Sequence, residues 1–366
     1  MSERLQKFTQ WVKEEGYAFS YVHTSANVLY LSGFDCHPHE RVLGLVVLPE
    51  GDPFLVCPGM EISQARDAGW KHEIIGYSDS EDPWAMISAK LQERGVVSAE
   101  KIAAEIETLP FARGEKLLGM YPGAKLFAAE EALNELRLVK EESELEILKR
   151  AAALADYGVE VGVSALKEGV TEMDVIAKIE YELKLKGVSA MSFSTMVLFG
   201  EKSGAPHGNP GLRKLQHGDL VLFDLGVVLD GYCSDITRTV AFGEIDEKKK
   251  EIYETVLAAQ LAALEASKPG TRIGDLDKAA RQVITDAGYG DHFPHRIGHG
   301  LGIDVHEFPS MSENNDGILK AGMVYTIEPG IYIDGLGGVR IEDDVVVTAD
   351  GYETLTKYPK KLQIVK

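Results

Sequence analysis

The sequence predicts an α+β protein of two domains, a smaller N-terminal α/β domain and a larger C-terminal domain made of two similar αβ halves. Three observations carry this. The chain has 366 residues, more than one ordinary hydrophobic core serves. Its first third alternates short helical and strand patterns. The remainder shows a helix pair followed by two strands, and then the same order again about a hundred residues later.

In the N-terminal part, a charged amphipathic opening runs to about Glu15. Strand-like apolar runs follow at 17–23, 28–31, 43–48 and 53–57, with a helical stretch after Gly59. Short apolar runs bounded by turn residues suit a small α/β domain. We expect this domain to span 1–125 and a linker to occupy 126–139, starting just after the turn-like Tyr121-Pro122-Gly123. The second domain, 140–366, opens with helices over 142–166 and 171–186 and strands over 220–228 and 232–242. Helices over 247–267 and 273–287 and strands over 323–333 and 339–348 repeat the order. The helix-pair junctions also match, Lys167-Glu168-Gly169-Val170-Thr171 against Lys268-Pro269-Gly270-Thr271.

Composition narrows the function. Hydrophobic residues make up 45% and charged residues 26%, which describes a folded globular chain. A formal charge of −20 leaves no basic excess to neutralise phosphates, so neither nucleic acid nor an anionic membrane is an expected partner. Cys36, Cys57 and Cys233 are odd in number and form no CxxC pair, which points to a reducing cytoplasm and against a thiolate metal site. The longest apolar runs, such as 42–48, are too short to span a bilayer.

The chemistry concentrates in the second domain. Asp224 interrupts the apolar run Val221-Leu222-Phe223-Asp224-Leu225. A buried carboxylate is costly unless a metal, a cation or several donors satisfy it. Asp230-Gly231 has the composition of a two-residue hairpin turn. Such a turn sets Asp224 opposite Thr237 and diagonal to Asp235, on one face. In the second half a hairpin centred near Gly335 sets Glu328 across from Glu342. If the halves pack about a pseudo-two-fold, four carboxylates meet, and they stay ionised together only with cations between them. Between the hairpins lie His295, His299 and His306, with glycines on both sides of His299. Oxygen ligands with one imidazole suit a hard metal such as manganese, with zinc and cobalt also open. His207, in Gly204-Ala205-Pro206-His207-Gly208, precedes the first hairpin. No GxxxxGK[ST], GxGxxG or GxSxG motif is present.

Taken together, Asp224-Leu225-Gly226, Ser234-Asp235-Ile236-Thr237-Arg238-Thr239, Gly298-His299-Gly300, Ile327-Glu328-Pro329-Gly330 and Arg340-Ile341-Glu342-Asp343 resemble the metallopeptidases of the pita-bread fold. Asn27-Val28-Leu29-Tyr30-Leu31-Ser32-Gly33-Phe34 is similar to the N-terminal domain shared by the proline-specific members and creatinase. The bacterial Xaa-Pro dipeptidases (prolidases) are the nearest likeness, with aminopeptidase P, which acts on longer Xaa-Pro peptides, as the alternative. A catalytically silent binding module on the same fold is a third possibility. The resemblance implies two divalent metal ions, Mn2+ first with Co2+ or Zn2+ open, held by Asp224, Asp235, His299, Glu328 and Glu342. It implies a metal-bridging hydroxide as nucleophile, Glu328 as the proton carrier, and a small peptide with proline second as the substrate. It assigns His207 and His306 to substrate orientation and the tetrahedral intermediate, His295 to the substrate pocket, and Arg340 to orienting ligands or binding the substrate.

Two features stand apart from that pattern. Many prolidases carry an arginine after His-Glu-x-Pro that holds the substrate carboxylate, and here the position is Ser310; Arg296 is the expected substitute. The polar stretch 33–41 reads as a solvated loop. Relatives are commonly homodimers, and in some of them one subunit lids the other's cleft. Asp35, His37, His39, Glu40 or Arg41 is therefore expected to reach a partner's site.

Overall fold

The structure, a computed structural model, describes residues 2–366. It resolves into two compact units that divide between Arg137 and Leu138. The expected linker 126–139 is corrected by this division. Residues Lys125–Ala128 form the edge strand of the first sheet and Glu130–Leu138 is a helix. No helix among the described residues is long and apolar enough to cross a membrane.

The first unit is a six-stranded mixed sheet in the order Glu73–Tyr77, Phe54–Pro58, Gly44–Val47, Phe19–Val22, Lys101–Ala104, Lys125–Ala128. Three of these strands were expected near their observed places. The expected strand 28–31 is instead part of the helix Ser25–Ser32. Its start explains the difference. The Thr24 side chain accepts from the Asn27 amide, and Gly33, at φ 78°, closes the other end in a left-handed conformation. Buried Glu105 accepts hydrogen bonds from the backbone of His23 and Thr24 and from the Asn27 side chain, fixing the helix from a distant strand end.

The second unit repeats one plan. Helices Glu142–Ser164 and Glu172–Leu185 cover a four-stranded sheet of Met196–Phe199, Asp219–Leu225, Ile236–Phe242 and Ile364–Val365. Helices Glu247–Ala266 and Ile273–Asp286 pack with the strands Val324–Ile327, Gly330–Ile333, Gly337–Arg340 and Asp343–Val347 into a second core. Glu307–Met311, Gly298–Gly300, Val324–Ile327, Asp343–Val347 and Tyr352–Thr354 form a five-stranded sheet in this order, and Gly330–Ile333 pairs with Gly337–Arg340 as a separate two-stranded one. The first helix lies close on its sheet because Gly162 lacks a side chain; a Cβ there would sit 2.7 Å from the Phe223 ring. The halves join where the Glu342 amide donates to the Thr237 carbonyl at 3.0 Å and the Thr239 hydroxyl donates to the Arg340 carbonyl at 3.0 Å. The duplication expected from the repeated helix-pair order is present, and the seam between the halves is where the acidic residues lie.

Candidate metal centre

Each acidic pair is set by its turn. Asp230 at φ 48° and Gly231 at φ 83° form the two-residue turn, which pairs Val228 with Cys233 and, further along, Asp224 with Thr237. The strands pinch at Gly226, where a Cβ would fall 1.8 Å from the Ser234 carbonyl oxygen. In the second half Gly330 pairs with Arg340 and Ile327 with Asp343. This one register on both sides sets Glu328 against Glu342, as the sequence predicts. His299 sits mid-strand, its backbone N–H donating to the Thr326 hydroxyl at 3.2 Å.

Asp235, His299 and Glu342 are all buried, and each offers a ligand atom within 4.8 Å of the others. The His299 Nε2 lies 3.7 Å from Asp235 Oδ2 and 3.5 Å from Glu328 Oε1. Burial, reinforced by the neighbouring carboxylates, pushes Asp235 and Glu342 well above the usual carboxylate range. Asp224 is raised by burial too, although the Arg340 guanidinium opposes the rise. Glu328 is pushed up to about 7 by the same burial. Burial, and next the facing His306, lower His299 to about 3, so its imidazole is neutral with a lone pair to offer. Asp235 Oδ1 and Glu342 Oε1 are buried without a hydrogen-bond partner. Unpaired buried carboxylate oxygens facing a neutral imidazole are a donor set short of positive charge. Divalent cations fit it.

Around this cluster lies a cavity of about 410 Å³. The ten candidates of the second domain all line it: Asp224, Asp235, His299, Glu328, Glu342, His207, His295, Arg296, His306 and Arg340. His306 stands against His299 with ring centroids 4.0 Å apart. Arg296 donates to the Ser310 hydroxyl at 3.0 Å, so its guanidinium occupies the neighbourhood of the side chain at 310.

Two of these lining side chains are already engaged by neighbours. Arg340 is buried and its donors are committed to Asp224, the Tyr332 hydroxyl at 2.9 Å and the Thr237 hydroxyl at 3.0 Å. These bonds hold the Asp224 carboxylate against the guanidinium. The ring nitrogens of His295 are both engaged, Nδ1 with the Arg296 carbonyl at 2.8 Å and Nε2 with the Tyr332 hydroxyl at 2.9 Å. Burial holds His295 down at about 4, so the neutral ring donates through Nδ1 to the Arg296 carbonyl and accepts through Nε2 from the Tyr332 hydroxyl. Tyr332 was not foreseen. It shares the inward face of its hairpin with Glu328 at even spacing, so period-two alternation could have revealed it. Phe193 and Val305 also line the cavity and come from segments with no periodicity to read.

His39 and Arg41 are not among the lining residues. Both belong to the first unit, where Arg41 grips Asp79 through two bonds of 2.8 and 3.1 Å and His39 is exposed at φ 56°. Asp35 and His37 lie 3.5 Å apart on the same loop, and Glu40 is 3.2 Å from Arg41.

Comparison with known proteins decides the family. Residues 146–349 match metallopeptidase family M24, and residues 4–139 match the creatinase/prolidase N-terminal domain. The chain belongs to metallopeptidase family M24. Among family M24 relatives, the protein named "Putative dipeptidase YkvY" of Bacillus subtilis (strain 168) is 60% identical over 361 residues, covering 99% of each chain. The prolidase from Thermococcus sibiricus superposes with a TM-score of 0.93 at 35% identity, covering 100% of both chains. The Xaa-Pro dipeptidase from Bacillus anthracis gives 0.91 at 33%, covering 99% of both. The M24 catalytic domain has the pita-bread fold expected from the motifs. Membership of a metallopeptidase family implies divalent metal ions, and the buried Asp235–His299–Glu342 cluster is suited to hold one.

Proposed function

We propose that the protein hydrolyses the Xaa-Pro bond of dipeptides, with two divalent metal ions, manganese as first choice, held by Asp224, Asp235, His299, Glu328 and Glu342. The observation that carries this is the meeting of both carboxylate pairs and His299 around one cavity with an arginine, Arg296, beside it. The relatives named prolidase and Xaa-Pro dipeptidase support the substrate class. Bound divalent ions would supply Lewis-acid polarisation of the scissile carbonyl and a water made acidic enough to attack at neutral pH.

The residues do the rest. Glu328 takes the proton of the attacking water on a carboxylate oxygen and delivers it to the proline nitrogen as the C–N bond breaks. That delivery matters because a prolyl nitrogen, having no N–H, leaves as a secondary amine. His306 and His207 donate hydrogen bonds to the substrate carbonyl and to the oxyanion that develops there. Arg340 and Tyr332 hold Asp224 and His295 in place, and the His295 and Phe193 rings form apolar wall. Arg296 receives the C-terminal carboxylate of the dipeptide, taking the part an arginine at position 310 would play.

One observation favours a second reading, aminopeptidase P activity on longer peptides: position 310 is a serine, so a chain running past proline meets less positive charge. The deciding experiment strips the protein of metal, restores Mn2+, Co2+ or Zn2+, and compares Ala-Pro with Ala-Pro-Ala. We expect metal-dependent turnover with Ala-Pro strongly preferred. Equal or better cleavage of the tripeptide moves the assignment to aminopeptidase P, and no metal-dependent turnover of either removes both.

A further inference from the structure

The least anchored member of the proposed machinery is His207. It is exposed, on a segment that leaves the strand Met196–Phe199, passes through a single 3-10 turn at Gly200–Gly204 and returns at Gly211. A side chain on such a segment orients substrate only if the segment itself is fixed. The structure shows what fixes it. Glu172, the first residue of the helix Glu172–Leu185, is 0% exposed. One of its carboxylate oxygens accepts from the Phe199 backbone N–H at 3.0 Å. The other accepts from the Gly211 backbone N–H at 2.7 Å and from the Lys202 ammonium. Both ends of the His207 segment, and a lysine within it, thus converge on one buried carboxylate.

A buried carboxylate accepting two backbone N–H groups and one ammonium is a strong, charge-assisted node, and a helix N-terminus favours the negative charge further. Two contacts steady the middle of the segment. The Ser203 hydroxyl accepts from the Gly338 N–H at 2.8 Å, and the Pro206 carbonyl faces Arg340 Nη1 at 3.5 Å. These lead back to the hairpin of Glu328 and Glu342, so they register the segment against the metal centre while Glu172 closes it.

We propose that Glu172 is a positioning residue for His207, closing the 199–211 segment so that the imidazole meets the substrate carbonyl. The proposal rests on the reading of His207 as a substrate-orienting group. In Glu172→Gln one oxygen becomes an amide NH2, which can no longer accept, so one end of the segment is released while the volume is kept.

The test measures three things on full-length, metal-loaded protein. Amide hydrogen exchange over residues 203–209 rises by about tenfold or more in Glu172→Gln, while exchange in the strand Asp219–Leu225 and the metal content stay unchanged. The kcat for Ala-Pro falls about tenfold to a hundredfold, the scale set by misplacing a catalytic contact by about an ångström. In the His207→Ala background, Glu172→Gln costs no more than about twofold, because a clamp has nothing left to position. A general structural role would instead multiply the two losses. Should Glu172→Gln fail to fold, Lys202→Met removes only the ammonium and shows a smaller loss of the same kind, again silent in His207→Ala. Unchanged loop exchange overturns the clamp, as do multiplying losses. Full activity of His207→Ala overturns the reading of His207 instead, and the exchange data still decide whether Glu172 closes the segment.

Discussion

At the scale of single residues, the proposed dipeptide specificity rests on a cation beside position 310. A dipeptide presents its carboxylate one residue beyond the scissile bond, and Ser310 brings no charge to meet it. Arg296 reaches the Ser310 hydroxyl, lines the cavity and is exposed, so its remaining donors are open to a ligand. A hydrogen bond to a charged group is worth roughly 1.5–3 kcal/mol, which corresponds to about a tenfold to hundredfold rise in KM for Ala-Pro on Arg296→Ala. The effect on kcat should be smaller, and Ala-Pro-Ala, whose carboxylate lies further out, should be affected least. Steady-state kinetics on the two peptides measure this, and an unchanged KM for Ala-Pro would remove Arg296 from carboxylate recognition. Arg340 shows the opposite case. Equally cationic and also lining the cavity, it is buried and spent on Asp224, Tyr332 and Thr237, a difference that goes with burial and not with residue type.

At the scale of elements, the two hairpins carry the site, and their registers leave little slack. At Gly226 the backbone of one strand approaches the Ser234 carbonyl so closely that any side chain must displace it. Gly226→Ala should therefore shift Asp235 relative to Asp224 without altering a single proposed ligand. We expect a loss of about 2–4 kcal/mol of stability, typical of overpacking against backbone, together with weakened metal retention. Thermal denaturation and metal analysis of the purified variant measure both, and a variant with wild-type metal content and stability would show that the pinch is not needed. These hairpins were also the most legible part of the sequence. A two-residue turn and a period of two fix which residues face each other, so Asp224 against Thr237 and Glu328 against Glu342 follow from spacing alone. The helix Ser25–Ser32 was not legible, since a short apolar run suits strand and helix equally. What selects the helix includes Glu105, about eighty residues away, which no local pattern reveals. The same holds for Glu172, whose role depends on the return of a distant loop; the inward placement of Tyr332 follows from alternation, but not its partners Arg340 and His295.

At the scale of the whole molecule, the metal centre is a concentration of negative charge that folding must accommodate. Asp224, Asp235, Glu328 and Glu342 all have their protonation raised above the unfolded value, mainly by burial. For a carboxyl raised in this way, the favourable contribution is complete below its unfolded pKa of about 4 and is lost as pH climbs through the folded value. With Glu328 at about 7, these carboxyls withdraw stability from the metal-free protein between about pH 5 and pH 7 and beyond, against a gain from the buried His295 and His299, whose pKa values are lowered on folding whether or not metal is bound. Bound divalent cations favour the ionised forms, so the metal-loaded protein should escape this loss. Carboxyls held below their usual range by ion pairs elsewhere, such as Asp79 by Arg41, Glu73 by Lys90 and Asp343 by Arg238 after burial is overcome, act in both forms and cancel in the comparison. His299, lowered to about 3, is neutral throughout this window in either form. The gap in melting temperature between Mn2+-loaded and stripped protein should therefore widen as pH rises from about 5 to about 8. Melting curves of both forms across that range test it; a gap independent of pH would mean that the four carboxylates do not share their burden with metal.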